Sequence, residues 1–342
     1  MIRVLVADDS ATVRELISAT LESDPALRIV GHARDGFEAV RRAAELRPDV
    51  ITMDIHMPGL DGVAATKEIM IETPTPIVIV SSAISDSDIG LSLDATRAGA
   101  LVALPSIGGG DDSADRRREL VETVKAMAQV KVVRRRPARP PRQRAHAPTH
   151  GAEARVLAMA ASTGGPAALQ RVLGDLPRDF PLPVLIVQHI ATDFVHGFCR
   201  WLNTACQVRV KVATHGEPLE PRNVYLAPDG QHLTVGPGGT IRLSPAAPVD
   251  GFRPSASPLF ESVASVYGAG TIAVILTGMG RDGVAGLHAV RAAGGRVIAQ
   301  DEATSVVFGM PAQATREGVV DFVLPLHEIG ARILELANGS CT

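Results

Sequence analysis

Residues 2–10 read IRVLVADDS: six residues of strand character that end on two aspartates and a serine. The run is too short for a buried helix, and the amphipathic stretch Ala11–Leu21 follows it directly. The same phrase recurs along the chain. Val50–Met53 ends on Asp54, and Ile77–Val80 on Ser81 and Ser82. Arg155–Ala160 leads to Ser162, Val184–Gln188 to His189, and Thr271–Leu276 to the TGMGRDG segment that holds Asp282. Arg28–Ala33, Leu101–Leu104, Val208–Val212, Arg296–Ala299 and Val319–Val323 are further strand candidates. Helical patterns fall between them, at 37–46, 62–71, 88–97 and 115–130 in the first half. In the second half they fall at 165–173, 193–204, 258–266, 283–293, 311–316 and 327–337. Continuous apolar strands belong to parallel sheets buried on both faces, and strand–helix alternation implies right-handed crossovers. The expected class is α/β, with two doubly wound parallel sheets. Segments near 224–226, 232–235 and 240–243, broken by Pro-Asp-Gly and Gly-Pro-Gly-Gly, read as a hairpin insertion in the second sheet.

Charge divides the chain. Residues 1–127 hold 13 basic and 21 acidic groups, and residues 153–342 hold 14 and 16. Between them, 128–152 hold seven basic groups and no acid, in a Pro- and Arg-rich run with almost nothing to bury. The division expected is a first domain over 1–127, a basic linker over 128–152 and a second domain over 153–342. With 342 residues, 46% of them hydrophobic, each domain has enough apolar material for a core. No run of 18 uncharged apolar residues occurs, so membrane insertion is not expected. The N-terminus shows no export signal, and three cysteines without a Cys-x-x-Cys pair argue against a disulfide framework or zinc site. A cytoplasmic setting is expected. At 3% aromatic residues, base-stacking platforms for nucleic acid are not expected either.

Ligands of an open parallel sheet bind beyond the carboxyl ends of its strands, so the residues there carry the functional reading. In the first domain these are Asp8, Asp9, Asp54 and Ser81. Three carboxylates in one crevice repel one another unless a hard cation offsets them, and oxygen donors suit Mg²⁺. Singly, such acids are usually caps or turn residues, and Asp9 or Ser10 is placed to cap the first helix. VLVADDS, DVITMDIHMPGLDG and PIVIVSSA together resemble the flavodoxin-like receiver domain of two-component response regulators. The resemblance implies that Asp54 accepts a phosphoryl group, that Asp8 and Asp9 help to hold Mg²⁺ and that Ser81 is the switch residue. One departure is clear: receivers usually carry Lys-Pro after the fifth strand, and here Ser106-Ile107 stand in that place.

In the second domain Ser162, His189 and Asp282 supply the nucleophile, base and orienting acid of a serine hydrolase. Each also has a plainer reading. Ser162 is placed to cap the following helix, Asp282 to cap the helix from Gly283, and a lone His189 to be structural. The STGGP turn could cradle a phosphate, although it lacks the glycine spacing of either nucleotide-binding fingerprint. The segments AASTGGP, VQHI, APDGQHLTV, RPSASPLFESVA, LTGMGRDGVAGL and QDEATSVVFGMP resemble the CheB family, the protein-glutamate methylesterases of bacterial chemotaxis. This likeness implies a Rossmann-like catalytic domain. It further implies a phosphorylation-regulated esterase and glutamine deamidase acting on chemoreceptors, with a histidine kinase as phosphodonor. Carried over by motif, Ser162 is the nucleophile, His189 the base and Asp282 its orienter, and the backbone N–H groups of Met279 and Thr163 receive the oxyanion. Mg²⁺ serves the receiver alone, and no cofactor is implied for the esterase. Two positions differ from the usual family pattern: Phe252 stands where His often precedes R-P-S, and Ala160 where Gly precedes the nucleophile by two. The competing readings are a non-catalytic, phosphorylation-controlled binding module, and a nucleotide-binding enzyme built on the STGGP turn.

Overall fold

The computed structural model describes residues 1–81, 86–107, 113–130, 153–190 and 194–339. Most of the basic run, together with Ser82, Asp193 and Cys341, lies outside the described residues. The chain divides into two compact units.

In the first unit β1 (Ile2–Ala7), β2 (Leu27–Ala33), β3 (Val50–Met53), β4 (Ile77–Ser81) and β5 (Val102–Pro105) form one sheet in the order β2-β1-β3-β4-β5, parallel throughout. The crossovers are α1 (Ala11–Glu22), α2 (Gly36–Leu46), α3 (Gly62–Glu72) and α4 (Asp86–Ala98), and α5 (Ser113–Met127) closes the unit. Helices α1 and α5 pack together, and α3 packs with α2 and α4, so both faces of the sheet are covered. That is why β3 and β4 are buried at every position and read as unbroken apolar runs. Helix starts obey local chemistry: Ser10 caps α1, Asp35 caps α2 and Asp61 caps α3, each accepting a backbone N–H with its side chain.

The second unit contains β6 (Val156–Ala161), β7 (Val184–Gln188), β8 (Arg209–Val212), β9 (Asn223–Leu226), β10 (His232–Gly236), β11 (Thr240–Ser244), β12 (Thr271–Ile275), β13 (Arg296–Gln300) and β14 (Phe322–Leu324). Its helices are α6 (Gly165–Gly174), α7 (Phe194–Ala205), α8 (Ala256–Tyr267), α9 (Val284–Ala292), α10 (Met310–Arg316) and α11 (Leu326–Ala337). Seven strands pair in the order β14-β13-β12-β6-β7-β9-β8, all parallel. The hairpin expectation needs correction. Only β10 and β11 pair as an antiparallel hairpin, whereas 224–226 belongs to β9 and joins the main sheet between β7 and β8. Val224, Tyr225 and Leu226 are all buried, as a strand covered on both faces requires. Helices α8 and α9 pack over one face with the hairpin and bury Phe260, Val263, Leu287 and Val290 against β6, β12 and β13. Helix α11 meets α6, and α6 meets α7.

Candidate active site

The order β7-β6-β12 sets the geometry of the second unit. These three adjacent strands end at one level, because Ala161 pairs with Gln188 and Ala160 with Ile275. Backbone bonds carry the alignment past the strands: His189 N–H donates to Ala161 O at 3.0 Å, and Ser162 N–H donates to Thr277 O at 3.0 Å. His189, Ser162 and the 277–282 loop therefore leave neighbouring strand ends.

Asp282 is fully buried. It does not cap α9, whose N-cap is Gly283 with no side-chain bond. Its carboxylate sits instead at the start of α8. There it accepts Ser255 Oγ–H at 2.5 Å, Ala256 N–H at 2.7 Å and Ser257 N–H at 3.4 Å. The positive end of a helix favours an anion at that place. On its outward side it accepts His189 Nε2–H at 2.9 Å. Burial alone would raise this carboxyl, but the bonds from His189, Ala256 and Ser255 outweigh it and hold the group below the usual carboxylate range. An ionised carboxylate only accepts, so Nε2 carries a proton, and in the neutral imidazole the lone pair is then on Nδ1. Nδ1 is buried and has no hydrogen-bond partner among the described residues.

Ser162 is half-buried, and it is not the helix cap: Gly164 occupies that position, in the left-handed region at φ 76°. A Cβ at Gly164 would lie 2.6 Å from Val306 Cβ, so the turn is packed beneath the 301–309 loop. Gly278 has a similar reason to be glycine, since a Cβ there would lie 2.7 Å from Ser162 Cβ. The TGMG loop is thereby pressed against the serine. Thr277 fixes the loop further, donating its Oγ1–H to Thr163 O at 2.9 Å and accepting Val307 N–H at 2.9 Å. Among the described residues, the N–H groups of Met279 and Thr163 have no intramolecular acceptor. Ser162 Oγ and His189 are not hydrogen-bonded to each other. Such bonds are commonly long without substrate and tighten in the reacting complex.

Two contributors escape a sequence reading. Gln188, nearly fully buried, donates through Nε2 to Ser162 O at 2.9 Å and His189 O at 2.6 Å, tying the two strand ends together. Ser255 holds Asp282 from 27 positions away. The only signal for Ser255 was a serine placed before an apolar helix.

In the first unit Asp8, Asp9 and Asp54 bring one oxygen each within 4.8 Å of one another at the ends of β1 and β3. Asp54 comes directly after β3 with its N–H on Ala7 O at 2.8 Å. Burial, followed by repulsion from Asp54 and Asp9, pushes Asp8 up to about 6 despite the Ser10 N–H it accepts. Burial raises Asp54 as well. Ser81 is fully buried, and its hydroxyl has no partner among the described residues. Ser106, at the usual lysine position, donates its N–H to Ser81 O at 2.7 Å.

Comparison with known proteins bears on both units. The CheB methylesterase family model matches residues 157–333, more than half of the chain, and the response regulator receiver domain model matches residues 4–104. The chain is 51% identical over 350 residues to protein-glutamate methylesterase/protein-glutamine glutaminase 4 of Myxococcus xanthus (strain DK1622), covering 99% of this chain and 98% of that protein. It is 51% identical to protein-glutamate methylesterase/protein-glutamine glutaminase 3 of Anaeromyxobacter dehalogenans (strain 2CP-C), covering 97% and 98%. The crystal structure of the Thermotoga maritima CheB methylesterase catalytic domain superposes with a TM-score of 0.52 at 37% identity, over 54% of this chain and all of that one. With its triad candidates at the ends of three adjacent strands and an acidic trio in a separate receiver fold, the chain belongs to the CheB methylesterase family.

Proposed function

We propose that this chain is a phosphorylation-regulated protein-glutamate methylesterase that also deamidates glutamines of chemoreceptors. The observation that carries the reading is the fixed imidazole. His189 is held through Nε2 by a buried, multiply hydrogen-bonded Asp282, on the strand end beside Ser162.

In the reaction, His189 Nδ1 takes the Ser162 hydroxyl proton while Oγ attacks the γ-ester carbonyl carbon. The two imidazole nitrogens thus exchange the roles they have in the protease triad, where the acid holds Nδ1. Negative charge gathers on the carbonyl oxygen, and the unpaired N–H groups of Met279 and Thr163 are the donors proposed for it. Collapse breaks the C–O bond to the methoxy group, which leaves as methanol with the proton from Nδ1. A water then attacks the acyl-enzyme by the same route and releases glutamate and Ser162. With a glutamine substrate, ammonia leaves in place of methanol. Asp282 keeps the proton on Nε2 throughout and faces the imidazolium with a negative charge.

The first 127 residues form the regulatory domain in this proposal, residues 128–152 the linker and residues 153–342 the catalytic domain. Asp54 accepts the phosphoryl group from a histidine kinase, its carboxylate oxygen attacking phosphorus as the P–N bond to the kinase's phosphohistidine breaks and the imidazole leaves. Asp8, Asp9 and Asp54 suit Mg²⁺, being three clustered oxygen donors of which Asp8 is raised by burial first and by its two carboxylate neighbours second. Bound there, Mg²⁺ supplies charge that offsets the incoming phosphoryl group. No helix among the described residues is long and apolar enough to cross a membrane. A kinase and receptor helices as partners imply a cytoplasmic setting.

Two outcomes are expected. Asp8 titrates at about 6 in the folded chain against 3.8 ordinarily, so the stability it contributes is full below 3.8 and lost as pH rises through about 6. Mg²⁺ binding the ionised trio restores that loss. Calorimetry is therefore expected to show the receiver transition raised by Mg²⁺ at about pH 7.5 and raised far less at about pH 5. Equal shifts at both would contradict the assignment. For the whole proposal, the purified chain is expected to release methanol from methylated chemoreceptor membranes, faster with a small phosphodonor and Mg²⁺. Asp54→Asn should abolish the stimulation and keep the basal rate. Stimulation surviving in that variant would rule out Asp54 as the acceptor.

A further inference from the structure

Asp282 restrains His189 at one point. The covalent bond from Cβ and the hydrogen bond from Nε2 fix two points of the ring and leave its tilt about the line between them without a hydrogen-bonded restraint, since Nδ1 has no partner among the described residues. A second contact removes that freedom. The phenyl ring of Phe252 lies flat on the imidazole, with ring centroids 4.0 Å apart and planes within 3° of parallel.

Phe252 is itself held in place. Its N–H donates to Val249 O at 2.9 Å and its carbonyl accepts Val249 N–H at 3.0 Å. The next residue, Arg253, donates through Nη1 to Pro245 O at 3.1 Å and Ala246 O at 3.3 Å. Three and four residues beyond Phe252 come Ser255 and Ala256, which hold Asp282. One short segment, 252–256, therefore grips the imidazole twice: in its plane through Asp282 and on its face through Phe252. A phenyl ring has no lone pair to offer and does not titrate; what it gives His189 is a flat face that packs, excludes water and presents the negative side of the ring quadrupole.

We infer that Phe252 is a positioning residue for the esterase reaction, its ring holding the His189 imidazole in the plane that aims Nδ1 at Ser162. The inference rests on the function proposed above.

The test uses the full chain and two rates. One is the labelling of Ser162 by an alkyl fluorophosphonate, in which an O–P bond forms, fluoride leaves and the serine proton passes to His189. The other is turnover of a peptide bearing a glutamate γ-methyl ester. Phe252→Leu is expected to slow labelling and kcat together, by about tenfold or more, with KM unchanged. Phe252→Tyr, which keeps the flat ring, is expected to restore both to near the wild-type values. The His189 Cε1 proton resonance, shifted upfield by the stacked ring in wild type and in the tyrosine variant, should return downfield in the leucine variant. Labelling of Phe252→Leu at the wild-type rate, or a loss confined to KM, overturns the inference. So does an unshifted His189 resonance in wild type, which decides the matter even if the leucine variant does not fold. Failure of wild type itself to label at Ser162 defeats the esterase reading, an outcome distinct from failure at Phe252 alone.

Discussion

Ser162→Ala is expected to lower hydrolysis of a glutamate γ-methyl ester by about 10⁶-fold, the loss caused by removing the nucleophile from a serine hydrolase. The change should scarcely touch the fold. Ser162 Oγ has no hydrogen bond among the described residues, and Gly164 rather than Ser162 starts α6. The N–H to Thr277 O is backbone and survives the substitution. Stability should stay within about 0.5 kcal/mol of wild type, read by thermal melting. Activity and stability are therefore expected to separate almost completely. A variant that kept a tenth of the wild-type rate would show that Ser162 is not the nucleophile.

Asp282 is expected to behave differently, because in the proposed reaction it serves structure and chemistry together. In Asp282→Ala the donors Ser255 Oγ–H, Ala256 N–H and His189 Nε2–H lose their acceptor in a fully buried place. The stability cost is about 1–3 kcal/mol for each donor left unsatisfied, and kcat should fall by about 10⁴-fold, as for removal of the orienting acid elsewhere. Asp282→Asn divides the two contributions. With its amide oxygen toward His189 it keeps the bonds from Nε2 and from Ala256, while Ser255 turns from donor to acceptor. Much of the stability should return, and little of the rate, because the charge facing the imidazolium is gone. The native group is held below the usual carboxylate range, so the stability it gives is present above 3.8 and lost as pH falls through its folded value. A fully active Asp282→Asn chain would reduce Asp282 to the structural anchor of α8.

The two sheets were legible for a physical reason. Strands covered on both faces must be short and apolar, and the residues just past each strand end must lie at the crevice; Asp8, Asp54, Ser162 and His189 were found that way. Segment 224–226 shows where this fails. Val224-Tyr225-Leu226 is buried like the other strands of the sheet, but it is short, and Pro228-Asp229-Gly230 after it is a strong turn signal that points toward a hairpin. Strand order is set by long-range pairing, and nothing in a local pattern places β9 beside β7. The same limit hid the supports of the site. Gln188, Ser255 and Phe252 act through contacts fixed by register and loop path, so their residue types are visible in the sequence and their partners are not. The choice of Nε2 over Nδ1 for Asp282 likewise depends on the side from which α8 approaches.

The most direct test of the central claim is to count methanol released from methyl-labelled chemoreceptor membranes by the purified full chain with phosphodonor and Mg²⁺. The account predicts methanol appearing in step with free glutamate carboxylates on the receptor, and none above background with Ser162→Ala. Methanol release that is equal in wild type and Ser162→Ala, or absent from a wild-type chain whose Ser162 is labelled by fluorophosphonate, would contradict it.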